Sequence, residues 1–365
     1  MTAEPGVILR LAREAAGLSL DAMARCTYLS KDYLANVETG KRKATPAVIR
    51  AYQAALGDDV NRRQLLMALL AGAATPAASV DVIGRVFESA LDAPALTVDD
   101  WLAKLDAYGH EYTLVGPGGM QPRLAADLAR LQTGLDHPVL SAVAAKLLTL
   151  QGLTIQSTTM PGPNGGRTGV IRWYRLAARA ADRSGDTDVQ VWVRGRAALA
   201  LAYERAEASA AKSFADEALA LSERPSLGCL NAQLALSNAQ AIDQDHTRAL
   251  AMFDDAKRAL DIVGFENRIS DFAAPEWLVA NTTSLLMSRL GEERLALEAQ
   301  DTANKSRPPA LSRFTTHIEL HRALMMAKRG NREGGIAHAR EALARLPRER
   351  LDVALRLRMS EIERA

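Results

Sequence analysis

The stretch GLSLDAMARCTYLSKDYLANVETGKRK, residues 17–43, contains two short helical patterns separated by a turn. Ser19 and Ser30 each stand where a helix begins, and a serine hydroxyl accepts a hydrogen bond from the backbone N–H groups that a helix start leaves unpaired. The capped segments are 21–26 and 31–38. The pattern predicts two helices that meet at a sharp angle, with the second presenting one face to solvent.

Two further amphipathic patterns complete a small domain. One runs from about Pro5 to Ala16 and ends at a glycine, and the other runs from about Pro46 to Leu56. Leu34 and Val37, three residues apart, form an apolar face on the second capped helix. We expect this face to pack against the two further helices. We therefore predict a domain of four helices over residues 1–60.

The motif G-L-S-x-x-x-x-A, followed by L-S-x-x-x-L-x-x-V-E-x-G-K-R, resembles the lambda-repressor-like (xenobiotic-response-element) helix-turn-helix family over most of residues 5–57. The resemblance implies a DNA-binding domain whose recognition helix is 31–38. Many members have glutamine after the serine that starts the preceding helix, and this chain has Leu20 there. One backbone contact that is usual in the family is therefore not implied.

Four side chains of the recognition helix face away from its apolar side and are candidates to read bases: Lys31, Asp32, Ala35 and Asn36. Lysine donates to guanine, aspartate accepts from cytosine, and asparagine pairs in both directions with adenine in the major groove. Candidate phosphate contacts, which position a domain without reading sequence, are Arg13, Ser19, Ser30, Lys41, Arg42 and Lys43. The alternative is that these side chains form a solvated or protein-binding face.

The charge of the predicted domain is modest. Residues 1–57 contain eight Lys or Arg and five Asp or Glu, a net charge of +3. One such domain makes few phosphate contacts, so its binding to DNA is weak and sensitive to salt. We therefore expect a homodimer on paired half-sites of a double-stranded DNA operator.

The composition predicts an all-α protein. Ala and Leu are abundant among the 365 residues and aromatic residues make up 5%, which favours helices over strands. The net charge of +2 requires any basic surface to be local. Cys26 and Cys229 lie far apart in sequence, so we expect no disulfide, no metal site and a cytoplasmic location. Residues 61–80 are interpreted as a linker helix, and no membrane association is expected.

Residues 81–365 predict a helical array with recurring small residues. Two copies place small residues and a proline at +5, +12 and +17 from a glycine: Gly291 with Ala296, Ala303 and Pro308, and Gly330 with Gly335, Ala342 and Pro347. This spacing resembles the tetratricopeptide repeat and implies an α-solenoid of helix pairs. Weaker copies are Val170 with Ala177, Ala211 with Ala218, and Ala249 with Ala256. Residues 263–275 read as an insertion.

The inner positions that the repeat resemblance implies fall on six residues: Arg196, Tyr203, Asn231, Asn238, Asn281 and His317. Three asparagines on one concave face suggest recognition of a peptide backbone, because each amide offers both donors and an acceptor. The alternative is an ordinary polar surface.

The complete layout resembles Gram-positive peptide-pheromone regulators, and more closely the Ala- and Arg-rich actinobacterial regulators of the same layout. That resemblance implies a transcriptional regulator in which a signalling peptide or small-molecule effector, as in quorum sensing, acts on the dimer. The alternative is an interaction scaffold or antitoxin-like partner. We expect a non-enzyme without cofactor, because Gly116–Gly119 lacks the lysine of a phosphate loop and HIELH, residues 317–321, has its glutamate in the wrong place for a metalloprotease.

Overall fold

The structure is a computed structural model that describes residues 6, 9, 10, 13, 19–55, 96–117, 119–158, 166–204, 207–222, 224–346 and 352–365. Its regular elements in these ranges are all helical, which confirms the all-α class. The chain divides into two compact units, one of residues 1–95 and 125–133 and the other of residues 96–124 and 134–365.

The N-terminal unit contains three described helices, α1 (Leu20–Thr27), α2 (Lys31–Glu38) and α3 (Pro46–Ala55). Both predicted caps are confirmed, because Ser19 accepts from the N–H of Ala22 at 3.1 Å and Ser30 accepts from that of Tyr33 at 3.2 Å. Apolar side chains from all three helices and from the predicted first helix form one core, which consists of Leu9, Met23, Leu34, Val37, Val48 and Tyr52. Residues 6, 9, 10 and 13 are helical as predicted, and the predicted linker helix, residues 61–80, lies outside the described residues.

The second unit begins with α4 (Val98–Leu114) and continues as antiparallel helix pairs. Helix α5 (Met120–Leu131) precedes the first pair in sequence, and its residues from Ala125 onward belong to the first unit. The pairs are α6 (Pro138–Thr158) with α7 (Gly166–Ser184), α8 (Thr187–Tyr203) with α9 (Ala208–Leu221), α10 (Leu227–Ile242) with α11 (His246–Val263), α12 (Glu276–Leu290) with α13 (Glu293–Ser306), and α14 (Arg313–Lys328) with α15 (Arg332–Ala344). Helix α16 (Val353–Glu363) follows the last pair.

Small residues bring the helices together where the sequence predicts it. Ala296 and Ala303 of α13 have no exposed surface, and Ala342 of α15 is 5% exposed. At Gly335 an added Cβ would lie 2.5 Å from a carbonyl oxygen of α14. Gly291, at φ 72°, ends α12 in the left-handed region that favours glycine. The predicted spacing therefore marks helix pairs, while Pro347 lies outside the described residues.

Neighbouring first helices also approach closely. At Gly195 of α8 an added Cβ would lie 2.1 Å from the carbonyl oxygen of Gly228 of α10, and at Gly228 it would lie 2.6 Å from the nitrogen of Trp192. A side chain at either glycine would separate the two backbones. This approach brings the backbones of α8 and α10 close together.

Polar contacts also join distant parts of the array. Arg313, at the start of α14, donates to the carbonyl oxygens of Tyr112 and Thr113 at 3.1 and 3.0 Å, where α4 ends. Arg358 of α16 donates to the carbonyl of Tyr203 at 2.8 Å, at the end of α8. Helices far apart in sequence thus enclose one interior space.

Helix α6 is long and apolar enough to cross a membrane by length and composition. Within its most apolar window, 67% of the residues are buried inside the structure. One of its buried polar side chains is fully paired there, since Gln156 donates to the carbonyl of Ala200 at 2.9 Å and accepts from Tyr174 at 2.7 Å. A central position in the array accounts for its apolar character.

Candidate ligand cavity and DNA-binding surface

A cavity of about 160 Å³ lies among the first helices of the repeated pairs. Helices α6, α8, α10, α12 and α14 line it, together with the end of α4, the start of α16 and the insertion between α11 and α12. Five of the six predicted ligand residues line this cavity: Arg196, Tyr203, Asn231, Asn281 and His317. Their binding of a ligand stays a prediction.

Asn238 does not belong to this group, and its predicted position on the inner face is wrong. It is completely buried. Its amide donates to the carbonyl of Leu234 at 3.0 Å and accepts from Arg289 at 2.8 Å. The asparagine supports a buried arginine, so its polar side chain marks the interior of the array rather than its groove.

The predicted cavity residue Arg196 is held by the insertion. Its guanidinium donates two bonds to Asp271, one of 2.8 Å from Nη2 and one of 3.0 Å from Nε. Burial opposes the charge of Arg196, but Asp271 and its hydrogen bonds raise the arginine pKa overall. The pair fixes the insertion against α8 and leaves little charge there for a ligand.

A second pair lies at the other side of the cavity. His317 Nε2 is 3.7 Å from Asp352, which also caps α16 by accepting from the N–H of Leu355 at 2.9 Å. Burial alone would raise the pKa of Asp352, but the neighbouring His317 ring and the N–H of Leu355 lower it overall. The first turn of α16 is thus tied to a cavity residue.

Glu204, Trp277 and Arg313 also line the cavity, and the sequence analysis missed all three. Burial raises the pKa of Glu204 to about 7, against the hydrogen bond with Gln156. Glu204 follows the last residue of α8, outside the helix positions that the repeat resemblance implies. A glutamate directly after an apolar helix was the available signal. In the described part of the chain, no group of three or more His, Cys, Asp or Glu is arranged to hold a metal ion.

The candidate DNA-binding surface is formed by α1, α2 and the loop that follows α2. Lys31 and Asp32, in the first turn of α2, are exposed, and Ala35 and Asn36 are partly exposed on the same helix. Lys31 lies 2.8 Å from Asp21 of α1, but both side chains are more than half exposed. An ion pair of this kind is weak, so Lys31 remains able to contact DNA.

The basic loop is ordered against α2. Lys41, Arg42 and Lys43 are all exposed. The backbone N–H of Arg42 donates to the carbonyl of Asn36 at 2.8 Å, and its guanidinium lies 5.4 Å from the centre of the Tyr33 ring. The loop therefore presents three cations beside the C-terminal end of α2.

Residues 6–66 match a protein family described as "Helix-turn-helix domain". The matched segment contains both capped helices and the basic loop. The N-terminal unit carries a helix-turn-helix domain. No curated protein and no solved structure gave a significant match to the chain.

Arg13 has a different place in the helix-turn-helix domain from the predicted one. It was expected on the outer face of the first helix, in contact with phosphate, but it is 8% exposed. Its Nε and Nη2 donate to the two carboxylate oxygens of Glu38, both at 2.8 Å. Tyr52 donates to the same carboxylate at 2.7 Å. The prediction for Arg13 is wrong, because the glutamate at the end of α2 is buried and requires a cationic partner.

Tyr28 is a feature of the helix-turn-helix domain that the sequence analysis did not select. It lies in the turn between the two helices with φ 56° and is 96% exposed. A left-handed backbone conformation is unfavourable for a bulky residue. The Tyr28 side chain is not buried, so packing does not offset this cost. The signal in the sequence was the short spacing between the end of α1 and the cap Ser30, which requires a tight turn.

Proposed function

We propose that this protein is a transcriptional regulator that reads a double-stranded DNA operator through α2 and responds to an effector held in the array. The observation that carries the proposal is the exposed face of α2 within a segment that matches the helix-turn-helix family. Transcription regulation is a common role of such domains, and the neighbouring basic loop supplies the charge that phosphates require.

In this proposal the roles on DNA are divided between α2 and its surroundings. Asn36 pairs with adenine, Lys31 donates to guanine, and Asp32 accepts from cytosine or holds a neighbouring side chain. Lys41, Arg42 and Lys43 contact phosphates, and Ser19 and Ser30 lie at helix starts that suit the same contacts. Because few cations face the DNA, we propose that two copies bind paired half-sites in the cytoplasm.

The array is proposed to be a tetratricopeptide-like sensor. Its cavity of about 160 Å³ is close in size to an engineered apolar cavity of about 150 Å³ that binds benzene. That size favours a compact small molecule over an extended peptide of several residues. The effector would shift the equilibrium between a state of the protein that binds DNA and a state that does not. The size of the shift is set by the difference between the effector's affinities for these two states. In this role the chain binds ligands and catalyses no reaction.

A charge-reversal experiment tests the DNA-binding part. The variant Lys41→Glu, Arg42→Glu and Lys43→Glu is compared with the wild type by fluorescence anisotropy on genomic fragments at one stated salt concentration. Since three cations become anions beside the phosphates, we expect a loss of affinity of roughly 1,000-fold or more at low salt.

The matched control reverses three cations of the array, Arg294, Lys305 and Arg345. Each is at least 68% exposed and pairs with an acid four residues away in sequence. We expect this variant to bind DNA like the wild type. Equal losses in both variants, or none in the loop variant, would contradict the proposal, and capture of a protein partner by the loop variant would support a scaffold instead.

A further inference from the structure

Three polar atoms that belong to cavity residues have no hydrogen-bond partner among the described residues. They are the indole N–H of Trp277, the amide oxygen of Asn281 and the Nε–H of Arg313. Trp277 and Asn281 are each 2% exposed. Buried polar atoms are normally paired, so each unpaired one requires an explanation. A bound molecule that satisfies all three is such an explanation.

The orientation of the Asn281 amide follows from its neighbours. Its Nδ2 donates to the Tyr203 hydroxyl at 3.2 Å, and that hydroxyl lies 3.2 Å from Nε2 of His321. Nδ1 of the same ring lies 3.1 Å from the hydroxyl of Ser284. Burial lowers the pKa of His321 well below its ordinary value, so the ring is neutral and one nitrogen accepts. The Tyr203 hydroxyl thus accepts from Asn281 and lies within hydrogen-bond distance of His321, and the Asn281 oxygen has no partner among the described residues.

The two donors lie around one aromatic ring. The guanidinium of Arg313 lies 4.2 Å from the centre of the Phe314 ring, and the rings of Trp277 and Phe314 are 4.8 Å apart. Nη2 of Arg313 is occupied by the carbonyls at the end of α4, whereas its Nε is unpaired. Among the described residues, no carboxylate lies within ion-pair distance of Arg313. Trp277 and Asn281 are four residues apart, on one face of α12.

Two residues with an unpaired donor and one with an unpaired acceptor thus belong to the lining of the same cavity. We propose that the cavity binds a compact molecule with an amide head group, whose carbonyl accepts from Trp277 and Arg313 and whose N–H donates to Asn281. The molecule's apolar body packs on the aliphatic part of the lining, which is formed by Leu199, Leu227, Leu230, Leu234, Leu278 and Val279. This inference rests on the proposed sensing function.

Related head groups fit less well. A carboxylate supplies acceptors but has no hydrogen for the Asn281 oxygen, which would face it as a second acceptor. A hydrocarbon pairs with none of the three atoms. A site with buried polar groups discriminates strongly against analogues that leave those groups unpaired.

The test follows the indole N–H signal of Trp277 by nuclear magnetic resonance in the full-length, ¹⁵N-labelled protein without DNA. The variant Trp277→Phe identifies that signal among those of the four tryptophans. The probes are benzamide, benzoate and ethylbenzene, which share an apolar ring and differ in the head group. We expect benzamide to shift the Trp277 signal in a saturable way, and benzoate and ethylbenzene to bind at least about tenfold more weakly.

Two variants locate the amide contacts. We expect Asn281→Ala and Arg313→Lys each to lower the affinity for benzamide by about tenfold. The affinity for ethylbenzene should stay unchanged in both variants. The signals of Trp101, Trp173 and Trp192 report whether a variant is folded, and the comparison of the three probes on the wild type needs no variant.

The proposal is overturned if benzamide does not shift the Trp277 signal up to its solubility limit, or if either other probe binds as tightly. It is also overturned if folded Asn281→Ala binds benzamide like the wild type. If benzamide binds in the cavity but does not change the affinity for DNA, the proposed head-group contacts are supported. The proposed coupling between the cavity and DNA binding is then contradicted. Loss of DNA binding in the loop variant is measured separately, so the two failures are distinguishable.

Discussion

Arg289 Nε donates to Glu361 Oε1 at 3.0 Å, where the two side chains are 1% and 4% exposed. The same arginine donates to Asn238 and to the carbonyls of Ala202 and Tyr203. One buried cation thus joins α12 to the end of α8 and to the C-terminal helix α16. Tyr203 belongs both to this cluster and to the cavity lining, so the cluster supports the cavity wall.

We expect Glu361→Gln to lower the free energy of unfolding by about 3–5 kcal/mol, because it removes a carboxylate charge that faces two buried guanidinium groups, those of Arg289 and Arg358. Urea denaturation followed by circular dichroism measures the loss. The control is Glu341→Gln, whose partner Arg345 is exposed at the end of α15. This variant should change the stability by less than about 0.5 kcal/mol. Equal effects of the two variants would show that the buried pair contributes nothing special.

Arg13 and Lys41 are predicted to separate stability from DNA affinity. Arg13→Met should destabilise the N-terminal unit by about 3 kcal/mol, since Glu38 then stays buried without its cation. Lys41→Met should leave stability unchanged and reduce the dependence of log affinity on log salt by about one. Thermal unfolding and salt titrations measure the two effects. If Arg13→Met instead left the stability unchanged and reduced the salt dependence of DNA binding, Arg13 would be a phosphate contact and its buried role would be contradicted.

Tyr28 is predicted to reduce the stability of the turn that it occupies. Because glycine adopts a positive φ without the steric cost of a side chain, Tyr28→Gly should stabilise the unit by about 0.5–1 kcal/mol, or be neutral if the added freedom of the unfolded chain offsets it. If the exposed ring contacts DNA, the same variant loses affinity although it is at least as stable. Parallel melting and binding curves compare the effects, and a clearly destabilised variant would contradict the left-handed turn.

Glu204 is predicted to make stability depend on pH. Its folded-state pKa of about 7 exceeds the ordinary value of 4.5, so the folded state holds the proton more tightly. As pH rises from about 4.5 to 7, the wild type loses stability relative to Glu204→Gln, up to roughly 3 kcal/mol. Burial lowers the folded-state pKa of His321, so His321 makes the protein less stable as the pH falls below the unfolded-state pKa of histidine. This effect opposes that of Glu204, so a titration of the wild type alone does not isolate the contribution of Glu204. Urea titrations of both proteins at pH 5 and pH 8 measure the difference, and a constant difference would contradict the raised pKa.

Local rules in the sequence were sufficient for the helix-turn-helix domain. Ser19 and Ser30 fixed the helix starts, and Leu34 with Val37 fixed the buried face, because caps and periodicity depend on near neighbours. Arg13 was misplaced for the same reason. Its partner Glu38 lies 25 residues away, and a charged residue at a helix edge is usually exposed when no partner can be identified.

The cavity could be predicted only in part. The small residues and glycines gave the helix pairs and placed five of the six selected side chains on the lining. The insertion residue Asp271 and the helix-end residue Glu204 were missed, because no repeat position describes them. Asn238 was misplaced because its role depends on Arg289, which belongs to another helix pair. The role of a polar residue inside the array depends on partners from other helix pairs, so it cannot be predicted from its position in the repeat alone.

The most direct test of the account is the selection of genomic DNA fragments by the purified protein at a stated, near-physiological salt concentration. The selection is repeated with Asn36→Ala and with the control Asn304→Ala, which lies on an exposed part of α13. We expect a paired motif with fixed half-site spacing, and a loss of preference at one base position of each half-site with Asn36→Ala alone. Fragments without a common motif, bound with an affinity that fades uniformly as salt increases, would contradict sequence-specific regulation by this domain.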